Sequence, residues 1–227
     1  VITVKFMSGK LYIVATPIGN LDDITLRALE TLKSVDFILC EDTRVTKNLL
    51  NHYEINRPLI SYHQHSDAKK LHEIIELLNE GKNLALVTDA GTPGISDPGN
   101  LLIRDLVNKN QQIEIIPIPG PNAAISALSI SGFPTDKFVF MGFPPHKNKR
   151  QKYFKEVASM DYTVVFYESS HRITKCLNEL KEYLKPETKL VICRELTKKF
   201  ESTYRGTIEQ ILQMNIPEKG EFVLVIS

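Results

Sequence analysis

The residues best placed for chemistry lie in three short segments, each at the end of an apolar run. ATPIGNLDD (15–23) follows the first run, TDAGTPGISDPG (88–99) follows a later one with three glycines and two prolines among its twelve residues, and PGPNAA (119–124) is the third. Glycine lets backbone approach a ligand closely, and open α/β sheets bind ligands at the C-terminal ends of their strands. The second segment is longer than a helix cap requires, so it reads as a binding loop in which Asp97 also caps a helix beginning near Pro98. Asp22 or Asp23 is placed to cap a helix after the first segment. In the third, small residues open a helix whose free N–H groups can face a ligand. Neither the G-x-G-x-x-G dinucleotide fingerprint nor a G-x-x-x-x-G-K-S/T phosphate loop occurs.

Ionisable residues cluster after other apolar runs: Glu41-Asp42-Thr43-Arg44, Glu168 with His171 and Arg172, and Arg194-Glu195 with Lys198. Each cluster pairs a carboxylate with a base or cation, which serves proton transfer and equally serves a salt-bridged structural network. His63 and His65, two apart, would share one side of a strand, but no third metal ligand is evident, and a structural or partner-contacting role fits them better than a metal. Lys147, Lys149, Arg150 and Lys152 follow Gly142-Phe143-Pro144-Pro145 with no acid among them. That pattern suits phosphate contact, and a solvated loop has the same composition.

Loops of this kind need strands and helices in alternation to position them. Strands are expected at 11–15, 37–40, 84–87 and 113–118, with helices at about 24–33 and 67–80; the latter carries Leu71, Ile74, Ile75 and Leu78 on one face between Ser66-Asp67 and Gly81. The run Pro117-Ile118-Pro119-Gly120-Pro121 suits neither helix interior nor central strand. It divides the chain into an α/β domain with a largely parallel sheet (7–120) and a second α/β domain with a mixed sheet (121–227). In the second, strands are expected at 138–143, 163–168, 189–193 and 221–227, and helices near 149–159, 173–184 and 207–215. VITVKF reads as an extension ahead of a natural start at Met7, and the final strand-like run suggests that the natural protein continues past Ser227.

The composition narrows the class. Apolar runs are too short to span a membrane and no signal peptide opens the chain, so a soluble cytoplasmic protein is expected. Cys40, Cys176 and Cys193 form no C-x-x-C pair, which fits a reduced compartment and gives no zinc site. Residues 1–120 carry 12 basic and 15 acidic side chains and residues 121–227 carry 16 and 12, so an anionic partner would suit the second half better than the first.

The strings ATPIGNLDDIT (15–25), EDTR (41–44), TDAGTPGISDPG (88–99), PIPGPNAA (117–124), FYESSHR (166–172) and RELTK (194–198) resemble, in this order, the tetrapyrrole methylase superfamily of class III methyltransferases. The similarity runs from about Leu11 to the end. It implies two α/β domains with a cleft between them for S-adenosylmethionine. The cofactor contacts carried over by it are Pro17, Gly91, Thr92, Pro93, Ile95, Ser96, Asn122, Ala123, Tyr167 and Leu196.

Within that superfamily the strings are similar to the branch that methylates the ribose 2′-oxygen of a decoding-region cytidine in 16S ribosomal RNA. That likeness implies a homodimer acting on 16S ribosomal RNA within the small ribosomal subunit, without a metal. Glu41, Asp42, Arg44, Glu168, His171 and Arg172 are then the candidates for catalysis. Lys147, Lys149, Arg150, Lys152, Arg194 and Lys198 are the candidates for gripping RNA. The segment His63-Gln64-His65-Ser66-Asp67 departs from the branch, whose members usually carry asparagine and glutamate after the second histidine. Two other readings stay open: a precorrin or uroporphyrinogen methylase on the same frame, and a ribosome-assembly factor that binds RNA without catalysis.

Overall fold

The structure, a computed structural model, describes residues 8–63, 68–97, 99–108 and 113–227. The chain forms two compact units, Val1–Asn122 and Ala123–Ser227. In the first, β1 (Lys10–Val14), β2 (Phe37–Cys40), β3 (Leu59–Ser61), β4 (Leu84–Leu86) and β5 (Glu114–Ile118) make a sheet in the order β3-β2-β4-β1-β5, parallel at every pairing. Parallel strands are covered on both faces, and alternate residues of each strand here feed two separate cores. Leu11, Leu39, Leu84 and Leu86 pack with Ile74 and Leu78 of α3 (Ala68–Asn79) and Leu102 and Leu106 of α4 (Asn100–Asn108). Val14, Ile38, Cys40 and Ala85 pack the other way, with Ala28 and Leu32 of α1 (Leu26–Ser34) and Leu50 of α2 (Thr43–His52).

Two helix starts differ from expectation. Thr25, not Asp22 or Asp23, caps α1, its hydroxyl accepting from Ala28 N at 3.1 Å; the acids lie in a 3-10 turn that Asn20 holds by accepting from Asp22 N. Asp97 does not cap α4, because Gly99 occupies the capping position and its carbonyl accepts from Ile103 N at 3.0 Å. The expected α3 start at Ser66-Asp67, the proposed helix opening at Pro98, His65 and the VITVKF segment all lie outside the described residues.

In the second unit, β6 (Phe138–Phe140), β7 (Thr163–Glu168), β8 (Lys189–Arg194), β9 (Ser202–Thr207) and β10 (Phe222–Ile226) form a mixed sheet ordered β6-β7-β10-β8-β9, in which only the β6–β7 pair is parallel. α5 (Ala123–Ser131) lays Ala124, Ala127 and Leu128 against Val165, Val191 and Val223 on one face. On the other, α6 (Arg150–Ser159), α7 (Ile173–Lys181) and α8 (Ile208–Gln213) bring Phe154, Leu177 and Ile211 around Phe166, Ile192 and Leu224. Thr207 and Gln210 close the start of α8 with a reciprocal capping box.

All three cysteines are free and buried, and burial pushes each thiol above its ordinary value, the condition of an inert core residue. Among the described residues no helix is long and apolar enough to cross a membrane. Phe166 is fully buried at the middle of β7. Phe166→Ala should lower the unfolding free energy by about 3–5 kcal/mol, the cost of a large cavity in a packed core. Chemical denaturation followed by circular dichroism would check this, and a loss below about 1 kcal/mol would mean that this core is loosely packed.

Candidate functional site

β1 and β4 are neighbours, yet the chain leaves β1 for α1 on one face and leaves β4 for α4 on the other. Where adjacent strands send their connections to opposite faces, the loops part and leave a crevice at the strand ends. The three segments singled out in the sequence meet at this edge. Thr16 N donates to Gly91 O at 2.9 Å and Gly91 N to Thr16 O at 3.1 Å, while the Thr16 hydroxyl donates to Thr88 O at 3.1 Å. The Thr92 hydroxyl donates to Pro121 O at 3.2 Å and accepts from Asn122 Nδ2 at 3.5 Å. A Cβ on Gly120 would lie 3.0 Å from that of Ala15, so a larger residue there would have to push the third segment away from the first by a few tenths of an ångström. Gly91 sits at φ +87, a left-handed conformation that side chains rarely adopt. Around it Pro17 and Pro93 are buried, and Ile95 and Ser96 are exposed, Ser96 itself at φ +61.

Beside this rim lies a cavity of about 450 Å³ lined by Glu41, Tyr62, Gly94, Ser96, Asp97, Gly99, Asn100 and Leu101. Its two acids resist ionisation. Burial, and then the nearby Glu41, push Asp97 up to about 6, against the pull of the Thr88 hydroxyl. Burial, and then Asp89, also raise Glu41, against a downward pull from His63. Asp42 behaves oppositely. It caps α2 through Arg44 N at 2.8 Å and pairs with the Arg44 guanidinium, which holds it down at about 2. Arg44 is otherwise exposed, and Asp42 N donates to Asp89 at 3.2 Å, so Asp42 and Asp89 tie the end of β2 to the end of β4. Sequence reasoning reduced Asp97 to a cap; an acid between two glycines of a loop too long for capping was the available signal.

In the second unit the Glu168 carboxylate has no exposed surface and both its oxygens are taken. Oε2 pairs with Arg150 Nη2 at 3.2 Å, and Oε1 with Arg172 at 2.5 Å and with Ser169 N at 2.8 Å. Arg150 also reaches Glu179 at 2.5 Å and lies over the Phe154 ring. A buried carboxylate committed to two guanidinium groups fits the salt-bridged structural network, one of the two roles that the sequence left open for Glu168. Arg150, expected to grip RNA, is only 4% exposed and belongs to the same network.

The network holds a loop. Arg172 Nη2 donates to Pro144 O at 3.1 Å and Arg150 Nη1 to Pro145 O at 3.2 Å, directly before the basic stretch. Lys147, Lys149 and Lys152 are exposed there, as is His171. Arg194 and Lys198 are turned inward instead. Arg194 donates to Lys219 O and Phe200 O, and Lys198 lies between Glu195 and Glu221 at 3.0 and 2.8 Å, so neither offers a free cation to RNA. Tyr167 accepts from Ala124 N at 3.2 Å, and Leu196 and Ala123 pack against the α5 core. Among the described residues no group of three or more His, Cys, Asp or Glu could hold a metal ion.

Residues 10–212 match the model of the Tetrapyrrole (Corrin/Porphyrin) Methylases. The chain is 49% identical to the Ribosomal RNA small subunit methyltransferase I of Synechocystis sp., covering 96% of this chain and 79% of that one. It is also 49% identical to the protein of that name from Mycoplasmopsis pulmonis, over 96% and 97% of the two chains. Among solved structures it is similar to the methyltransferase CobJ, with a TM-score of 0.70 at 18% identity and coverage of 97% and 94%. The uroporphyrin-III-C-methyltransferase from Thermus thermophilus gives 0.65 at 21%, over 96% and 94%.

Two outcomes follow from these electrostatics. A carboxyl raised to about 6 when folded contributes stability that is fully present below pH 4, is lost as pH rises to about 6, and stays lost above. Asp97→Asn removes that loss, so variant and wild type should diverge between pH 4 and 6 in the variant's favour. Urea unfolding across this range tests it, and a pH-independent difference would sink it. Glu168→Gln, which leaves two buried guanidinium groups without their carboxylate, should cost about 3–5 kcal/mol of stability. If it instead leaves the melting temperature unchanged and lowers only the single-turnover rate, Glu168 takes part in the chemistry after all.

Proposed function

This chain belongs to the tetrapyrrole methylase family and is an S-adenosylmethionine-dependent methyltransferase, and from that premise we propose that its acceptor is the ribose 2′-hydroxyl of a cytidine in the decoding region of 16S ribosomal RNA. The observation that carries the RNA substrate is the 49% identity, across 96% of the chain, to proteins named as small-subunit ribosomal RNA methyltransferases. The exposed lysines at 147, 149 and 152, on a loop pinned by a buried ion network, support the same reading. We take the working form to be a cytoplasmic homodimer acting on the small subunit, without a metal.

The rim and cavity of the first unit suit the cofactor. S-adenosylmethionine when bound supplies a methyl group on a positively charged sulfur, and it carries ribose hydroxyls and an ammonium group. The carboxyl of Asp97 suits those cations and donors, and the bare backbone of Gly91 permits close approach. Attack on the methyl group is in line, so fixing the donor against the hydroxyl is the main task of the cross-tied loops.

A ribose hydroxyl is a poor nucleophile and gains from a proton acceptor. Glu41, on the cavity wall with its affinity for a proton raised, is the proposed acceptor; Asp42, locked as the cap of α2, fixes the backbone beside it. Arg44 and His171, both exposed, are left for contact with the substrate.

The purified protein with radiolabelled S-adenosylmethionine should methylate small ribosomal subunits from a strain lacking the enzyme, with the label on a ribose. Gly91→Val, placing a branched side chain at a left-handed position facing Ile18, should abolish cofactor binding by calorimetry, and methyl transfer with it. Label on a tetrapyrrole and none on RNA would overturn the substrate. Unchanged cofactor affinity in a folded Gly91→Val would overturn the site.

A further inference from the structure

Phe143 has no part in the site described so far, yet it is half exposed while its neighbour Pro144 is buried. The ring is held from beneath. It lies 5.3 Å from the Tyr167 ring at 59°, and Tyr167 is itself 5.1 Å from Phe140 in an edge-on arrangement. The Tyr167 backbone N–H donates to Gly142 O at 2.8 Å, and its hydroxyl accepts from Ala124 N at 3.2 Å, so the supporting ring is fixed at both ends. On the other side of Phe143 the carbonyls of Pro144 and Pro145 are gripped by Arg172 and Arg150, whose charges are balanced by the buried Glu168 and, for Arg150, by Glu179 as well. Lys147, Lys149 and Lys152 then follow within nine residues, all exposed.

Single exposed apolar residues are common and carry no message by themselves. This one is an aromatic face on a loop whose carbonyls are gripped by two buried arginines, and three exposed lysines follow it in the chain. Nucleic acid presents the complement of both features, phosphates for the lysines and the π-faces of unpaired bases for the ring. A ring already fixed in place loses little freedom when a base settles on it. We propose that Phe143 is a stacking platform for an unpaired base of the RNA substrate, set beside Lys147, Lys149 and Lys152 that hold the adjoining phosphates. The proposal rests on the reading of RNA as the substrate and adds the residue that engages a base rather than the backbone.

Stacking and charge leave different signatures. Stacking releases no counterions, so losing it lowers affinity without altering the salt dependence, whereas losing phosphate contacts flattens the slope. Affinity for an RNA fragment of the decoding region, measured by fluorescence anisotropy at several salt concentrations, separates them. Phe143→Ala should weaken binding by about tenfold with an unchanged slope of log affinity against log salt. Phe143→Leu, which keeps an apolar contact with Tyr167 but lacks a π-face, should lose a similar amount, and Phe143→Tyr should bind as wild type does. The triple replacement of Lys147, Lys149 and Lys152 by alanine should flatten the slope.

Wild-type affinity in folded Phe143→Ala and Phe143→Leu would overturn the platform while leaving RNA as the substrate. A wild-type protein that does not bind the fragment at low salt would overturn both. If the variants change the sedimentation of the protein but not its affinity for RNA, the ring belongs to a protein contact and the proposal fails.

Discussion

The first unit depends on two backbone hydrogen bonds between Thr16 and Gly91. They join the loops leaving β1 and β4, whose following helices lie on opposite faces of the sheet and would otherwise draw those loops apart. Each N–H and C=O at this edge needs a partner once the ladder ends, and pairing loop with loop satisfies them without a further strand. The exchange requires a residue at position 91 that accepts a left-handed backbone, and at the same edge Gly120 approaches Ala15 closely. Everything else at the rim hangs from this bridge: Thr92 reaches Pro121, and the Glu41 and Asp97 carboxylates lie beside the loops it fixes.

The second unit solves the same positioning problem with charge. Its exposed basic loop begins with two prolines, which have no N–H to anchor, so the carbonyls of Pro144 and Pro145 are the available handles. Arginine can reach a carbonyl and a carboxylate at once through its fork of donors, and Arg150 and Arg172 both do so. A buried Glu168 is what makes two buried cations tolerable. Such a network need add little net stability compared with an apolar core, but removing one member leaves unpaired charge inside the protein. The consequence is a loop whose conformation is set by the interior of β7, α6 and α7 rather than by its own exposed side chains.

Much of the architecture was legible because apolar runs and helical periodicity are local. FILC and TVVFYE mark β2 and β7 residue for residue. What escaped was carried by tertiary context. β3 is three residues at a sheet edge, two half-buried and one exposed, and β9 (STYRGT) is an edge strand with no apolar alternation, so neither announces itself. α2 is largely polar and was hidden by its own ionisable residues. At the site the loops were readable from their glycines and prolines. The roles of charged residues were not: composition cannot tell Lys149, which is exposed, from Arg150, which is buried, although they are adjacent. A one-residue difference in position relative to the start of α6 decides which meets solvent.

The two units also spend stability in different ways. Asp97 and Glu41 hold their protons more tightly than free carboxyls, which means that ionising them costs more in the folded protein than in the unfolded chain, with no arginine or lysine among the described residues lining their cavity. Glu168 is more deeply buried but is given two cations. A fold selected for stability alone would treat these acids alike, supplying partners or replacing the acids. The one behind the basic loop is paired with two guanidinium groups, whereas among the described residues the lining of the cavity beside the Thr16–Gly91 bridge holds no arginine or lysine, and the pull of His63 brings Glu41 only part of the way back. On the proposed reading of this cavity as the cofactor site, a cation or donor bound there would relieve an electrostatic cost already present in the free protein, and the gain would fall on the ligand-bound state.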